Sequence, residues 1–128
     1  MNDTYFAPEL FMPAGTRDIS FYEKALGAVI VRKFMNDDGT IHVAELSING
    51  ALFHIHEATP RISAREPAAL NGTTVNIGLF VSDVHVFMKK AVDAGAEQTM
   101  AAQDFDYGYR QARLKDVFGH MWTIQQKI

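Results

Sequence analysis

Apolar residues along this chain switch between two spacings. In "TRDISFYEKALG" they fall at Ile19, Phe21, Tyr22, Ala25 and Leu26, the three-and-four spacing of an amphipathic helix. Thr16 is the candidate N-cap, Asp18 sits where the helix dipole is positive, and Gly27 supplies the left-handed residue that ends the helix. The same design returns in "DVHVFMKKAVDAG", where Asp83 caps, Val84, Phe87, Met88, Ala91 and Val92 form the stripe, and Gly95 stops it. "FYEKALGA" and "FMKKAVDAGA" are thus two versions of one helix, and such self-similarity predicts a repeated module.

The flanking segments alternate instead, which predicts strands. "TYFAPELFM" precedes the first helix, and "AVIVRKFM", "IHVAELSI" and "ALFHIHE" follow it, separated by the turns "NDDG" and "NG". "TTVNIGLFV" precedes the second helix, and "AEQTMAA", "YRQARLKD" and "HMWTIQQ" follow it, the last two joined through "VFG". Each half reads strand, helix, strand, strand, strand. The stretch from Ala58 to Gly72 has two prolines and no sustained period, so it reads as a linker between module one, about residues 4–57, and module two, about residues 73–128. The expected fold is α+β: two tandem βαβββ modules whose curved mixed sheets form a cup, with helices on the outer faces.

Alternation sorts the side chains. Phe53 and Ile55 share one face against Leu52, His54 and His56, and Ile77, Leu79 and Val81 oppose Asn76, Gly78 and Phe80. Trp122 and Ile124 oppose Met121, Thr123 and Gln125, which makes Trp122 a core residue. A helix should cover each apolar side, leaving a mixed face of polar and aromatic groups, the usual lining of a small-molecule site. The segment "AAQDFDYGY" reads as an irregular loop overhanging that face, with Tyr107 and Tyr109 either closing over a ligand or packing on the body of the protein or a dimer partner.

Composition narrows the picture. At 128 residues, 48% hydrophobic and 21% charged, the chain suits one soluble domain, and no apolar run is long enough for a membrane span. The start lacks a basic segment followed by an apolar one, so the expected location is cytoplasmic. With no cysteine there is no disulfide, thiolate metal site or cysteine nucleophile, and a net charge of −3 gives no reason to expect nucleic acid.

The doubled plan, the "FYEKALGA" helix, "HVAELSING" and the ending "YGYRQARLKDVFGHMWTI" together resemble the vicinal oxygen chelate superfamily, also called the glyoxalase, bleomycin-resistance and extradiol dioxygenase superfamily, in its PhnB-like or bleomycin-resistance-like branch. Val117 stands where that branch usually has proline. In metal-dependent members four strand positions supply ligands, and the resemblance places them on Ala7, His54, Asn76 and Thr123. Only one is a good ligand for a transition metal, so no cofactor is expected. The alternative is a divalent metal on His54, His56 and Glu9, serving a lyase, isomerase or dioxygenase.

The expected cup is lined by Ala7, Glu9, His54, His56, Asn76, Phe80, Tyr107, Tyr109, Met121 and Thr123, with His54 or His56 as the base if the protein is an enzyme. Its partners are expected to be a small organic ligand and a second copy of the chain. His42 and Glu45 should point oppositely, Asp116 should cap the turn before the last strand, and His120 should make a structural hydrogen bond there. Arg110 and Arg113 fall on opposite faces, so at most one reaches the cup; an anionic ligand would need that arginine, and a cationic one would use Glu9.

Overall fold

The computed structural model describes residues 3–128, so the first two residues of the segment read above for an export signal lie outside it. Module one consists of β1 (Glu9–Pro13), α1 (Ser20–Leu26), β2 (Val29–Met35), β3 (Ile41–Ile48) and β4 (Ala51–Ala58). A short α2 (Pro67–Leu70) lies in the connection. Module two consists of β5 (Asn76–Phe80), α3 (Val84–Asp93), β6 (Glu97–Phe105), β7 (Tyr109–Lys115) and β8 (Met121–Lys127). Each module forms its own four-stranded mixed sheet, ordered β1-β4-β3-β2 and β5-β8-β7-β6. The first strand of each module runs parallel to the last, and the other pairs are antiparallel.

Local chemistry sets these elements. Asn49 and Gly50 both have positive φ, 54° and 95°, the requirement of the tight turn that joins β3 to β4 with matching strand twist. That turn fixes the register outward: Ile48 opposes Ala51, Leu46 opposes Phe53 and Ala44 opposes Ile55, all on the buried face. Asp83 caps α3 by accepting the Val86 amide at 3.1 Å, and Gly27 ends α1 at φ 69°.

Three expectations need correction. Helix α1 begins at Ser20 rather than near Thr16, because the Thr16 hydroxyl donates back to the Pro13 carbonyl at 2.7 Å and Asp18 accepts the Ser20 amide at 2.8 Å in a local turn. The linker is not wholly irregular: Pro67 opens the single turn of α2, where its missing N–H costs nothing. The supposed loop before Tyr109 is mostly strand, since β6 continues to Phe105 and only residues 106–108 turn.

One buried core joins the modules. The Phe53 ring from β4 meets Trp122 from β8 edge-on at 5.4 Å, and Tyr22 from α1 touches both. Helices α1 and α3 pack on each other. Burying each large apolar side chain here contributes roughly 2–3 kcal/mol. Within the core Asp116 is fully satisfied. Its Oδ2 accepts the Tyr22 hydroxyl at 2.8 Å and the Trp122 indole N–H at 3.0 Å, while Oδ1 accepts the Phe118 and His120 amides at 3.0 Å each. The expected turn cap is therefore also a clasp from module two onto α1.

Candidate functional site

The mixed face of the first sheet is built in rows. Glu9 on β1, His54 on β4, Glu45 on β3 and Arg32 on β2 lie side by side, and the next row holds Phe11, His56, Val43 and Phe34. His54 and His56 are half-buried and share this face with Glu9, while Ala7 precedes β1 in the same alternation. Glu9 and Phe11 also border a groove of about 340 Å³ between β1 and the segment entering β5, with Val75, Ile77 and His120 on its other walls.

His56 is tied down. Its Nδ1 donates to the Glu57 carbonyl at 2.7 Å, so the neutral ring keeps its lone pair on Nε2. The buried Glu57 carboxylate accepts His42 Nδ1 at 2.7 Å and Asn36 Nδ2 at 3.0 Å on one oxygen, and the His42 and His56 rings meet at 4.9 Å. These hydrogen bonds, Asn36's first and His42's second, hold the Glu57 carboxyl below its ordinary range against the opposing effect of burial. A depressed carboxylate contributes stability above its unfolded pKa, and that contribution is lost as pH falls through the folded value. Glu57→Gln is therefore expected to melt earlier than the parent near neutrality, with the gap closing below about pH 4. Melting temperature against pH for both proteins measures this, and a constant gap would contradict it.

The mixed face of the second sheet carries the remaining candidates. Asn76 lies beside Met121; Thr123 lies between Gly78 and Arg113, and Gln125 between Phe80 and Gln111. An aromatic run closes one end: Phe80 meets Tyr109 edge-on at 5.5 Å, Tyr109 meets Tyr107 at 5.6 Å, and Tyr107 stacks on Phe105 at 5.3 Å. The tyrosines thus pack on one another and on Phe80 as a wall. Of the two arginines, Arg113 lies on this face opposite Thr123, while Arg110 holds Asp104 with bonds of 2.6 and 3.1 Å.

Each sheet gathers its own candidates, and the single chain does not merge them. Phe53 and Trp122 point toward each other across the core, so their neighbours His54 and Thr123 point away from it on either side. Ala7 and His54 therefore belong to one surface, Asn76 and Thr123 to another. His120 is structural but reaches farther than expected, its Nε2 bonding the Phe11 carbonyl at 2.7 Å. Glu45 faces the same side as His54, while His42, beside an irregular stretch of the β2–β3 pairing, bonds Glu57 and also touches the His56 ring.

The family's metal does not fit the inherited positions. Alanine offers no donor, asparagine and threonine are weak neutral ligands, and the four lie on two surfaces. Among the described residues, no three His, Asp or Glu side chains stand close enough together to hold a metal ion. Sequence reasoning missed the bond between His42 and Glu57. Counting outward from the Asn49-Gly50 turn would have found it, because that register sets residue 42 opposite residue 57.

Comparison with known proteins agrees with this architecture. A 33% identical, uncharacterised protein of Mycobacterium bovis aligns over 125 residues, 95% of this chain and 82% of its own length. Among solved structures, TioX from Micromonospora sp. ML1 superposes with a TM-score of 0.74 at 22% identity, covering 98% of this chain and 97% of its own. The fosfomycin resistance protein FosX from Listeria monocytogenes superposes with a TM-score of 0.70 at 14% identity, covering 100% and 96%. Residues 10–124 match the description Glyoxalase/Bleomycin resistance protein/Dioxygenase superfamily. With the doubled βαβββ plan and nearly the whole length matched, the chain belongs to the glyoxalase, bleomycin resistance protein and dioxygenase superfamily.

Proposed function

We propose that the protein is a cytoplasmic small-molecule-binding member of this superfamily, of the PhnB-like or bleomycin-resistance-like kind, that acts as a homodimer without the family's metal. The observation that carries this reading is the make-up of the two mixed faces. Imidazole, amide and hydroxyl groups stand there among apolar side chains left open in the single chain: Phe34 is 39% exposed, Leu52 37% and Phe80 52%. Such surfaces call for a cover. A second copy laid over each face would supply it and turn an open sheet into a cavity. Among the described residues no helix is long and apolar enough to cross a membrane.

A second reading, a metalloenzyme built on Glu9, His54 and His56, draws support from the register, which sets Glu9 directly beside His54. One experiment separates the two. Chelator-stripped protein is melted with zinc, nickel, manganese or ferrous iron, and its mass is followed by sedimentation. The metal-free reading expects a dimer and no metal-dependent shift. Saturating metal at a hundred times its dissociation constant would instead add about 2.7 kcal/mol, raising the melting point by several degrees. A shift of that size, abolished in His54→Ala/His56→Ala, would replace the first reading with the second.

A further inference from the structure

We propose that the mixed face of the second sheet binds an elongated organic anion, with its carboxylate-type head on Arg113, Thr123 and Gln125 and its apolar body along Tyr109 and Phe80. This rests on the reading of that face as a binding surface and adds the charge, length and orientation of what it holds.

A chain of hydrogen bonds orients the head site. The Tyr107 hydroxyl donates to Gln111 Oε1 at 2.6 Å, and Gln111 Nε2 donates to Gln125 Oε1 at 2.7 Å. With its oxygen taken, Gln125 presents its amide N–H groups as donors. They lie over Gly78, where a Cβ would stand only 2.9 Å from Gln125 Nε2. Gly78 lacks a positive φ, so the backbone does not demand glycine there. A Cβ there would push the flexible end of Gln125 aside, so residue 78 sets where that amide rests.

Two further donors share that row. Thr123 lies between Gly78 on one side and Arg113 on the other. Among the described residues Arg113 has neither ion pair nor hydrogen bond, whereas Arg110 is held by Asp104 and Lys115 lies 3.8 Å from Glu97. The Thr123 side chain makes no hydrogen bond either. Thr123 is 8% exposed, and since no fully enclosed side-chain polar atom is left unpaired among the described residues, its hydroxyl keeps some access to the face. Strands β5, β7 and β8 place no Asp or Glu on this face, and Glu97 of β6 sits opposite Lys115, 3.8 Å from its ammonium, rather than opposite Arg113. A guanidinium, an amide and a hydroxyl at neighbouring positions of one face suit a carboxylate-type anion.

The aromatic wall sets the length. Tyr109 and Arg113 are four positions apart on β7, about 13 Å at strand rise. A ligand spanning them carries an aryl or alkyl body and an anionic end.

The test uses 4-phenylbutyrate, its uncharged amide and naphthalene, followed by amide-resolved NMR titration of the intact protein. The expected result is saturating shifts at Gly78, Thr123 and the Gln125 side chain with phenylbutyrate. Binding should be about tenfold or more weaker for the amide, and equally weakened for the acid by Arg113→Gln. Gly78→Ala, which displaces the Gln125 amide, should weaken phenylbutyrate severalfold and leave naphthalene unchanged. Equal affinity for acid and amide, or an Arg113→Gln variant that binds the acid as the parent does, overturns the proposal. So does an Arg113→Gln variant that loses only its dimeric mass, since the arginine would then be an interface ion pair. If naphthalene saturates the face while acid and amide are not distinguished, the binding surface stands and its anion specificity falls. If none of the three saturates, both fall.

Discussion

Asp116→Ala is expected to lower the melting temperature by about 10 °C or more, a loss of roughly 3–5 kcal/mol. The carboxylate is 5% exposed and accepts four hydrogen bonds, two from side chains of opposite modules. Alanine strands the Tyr22 hydroxyl and the Trp122 indole N–H inside the core, and each unpaired buried donor costs about 1–3 kcal/mol. The turn from β7 to β8 loses its cap as well. Asp116→Asn, which retains one acceptor oxygen, should lose less. Urea or thermal unfolding measures both, and a loss below about 1 kcal/mol for the alanine variant would show that the clasp contributes little.

The same clasp carries an alkaline signature. Burial first, and the charge of Asp116 second, push the Tyr22 hydroxyl well above its ordinary range. Because the unfolded tyrosine ionises near pH 10 and the folded one does not, stability is whole below pH 10 and falls as pH rises beyond it. Tyr22→Phe should be less stable near neutrality and should lose that part of the alkaline decline.

Phe53→Ala is expected to cost about 3–5 kcal/mol, for a different reason. Its ring is 3% exposed and wedged edge-on against both Tyr22 and Trp122, so truncation opens an apolar cavity at the junction of the modules. Phe53→Leu refills most of that volume and should cost less than half as much. Equal losses for the two variants would mean that ring geometry, rather than volume, holds the junction. Neither change touches a mixed face, so circular dichroism and the apolar probe should separate loss of fold from loss of site.

Much of the architecture is readable in the sequence because burial writes it there. Phe53 and Ile55 against His54 and His56 is an alternation enforced by a core on one side only, and the doubled helix stripe has the same cause. The start of α1 was misplaced because Thr16 and Asp18 satisfy nearby backbone groups in turns, the same chemistry that makes these residues good caps. The end of β6 was missed because Ala101, Ala102, Gln103 and Asp104 have weak strand preference. Their partners on β7 hold them, Gln111 opposite Gln103 and Arg110 opposite Asp104, and such pairing is a property of the fold. The Tyr22–Asp116 bond joins residues 94 positions apart, beyond any local pattern. The split of the candidate residues over two surfaces likewise depends on how the sheets pack, which alternation within one strand does not specify.

That alternation has an evolutionary consequence. On β4 and β8 the residues that keep the protein folded, Phe53, Ile55, Trp122 and Ile124, interleave with His54, His56 and Gln125, which stay partly open to the mixed faces. Selection can therefore rewrite those partly open positions without disturbing the core, and the duplicated module offers two such surfaces that can drift apart in chemistry. A scaffold divided in this way can acquire a new ligand by few substitutions at little risk of unfolding.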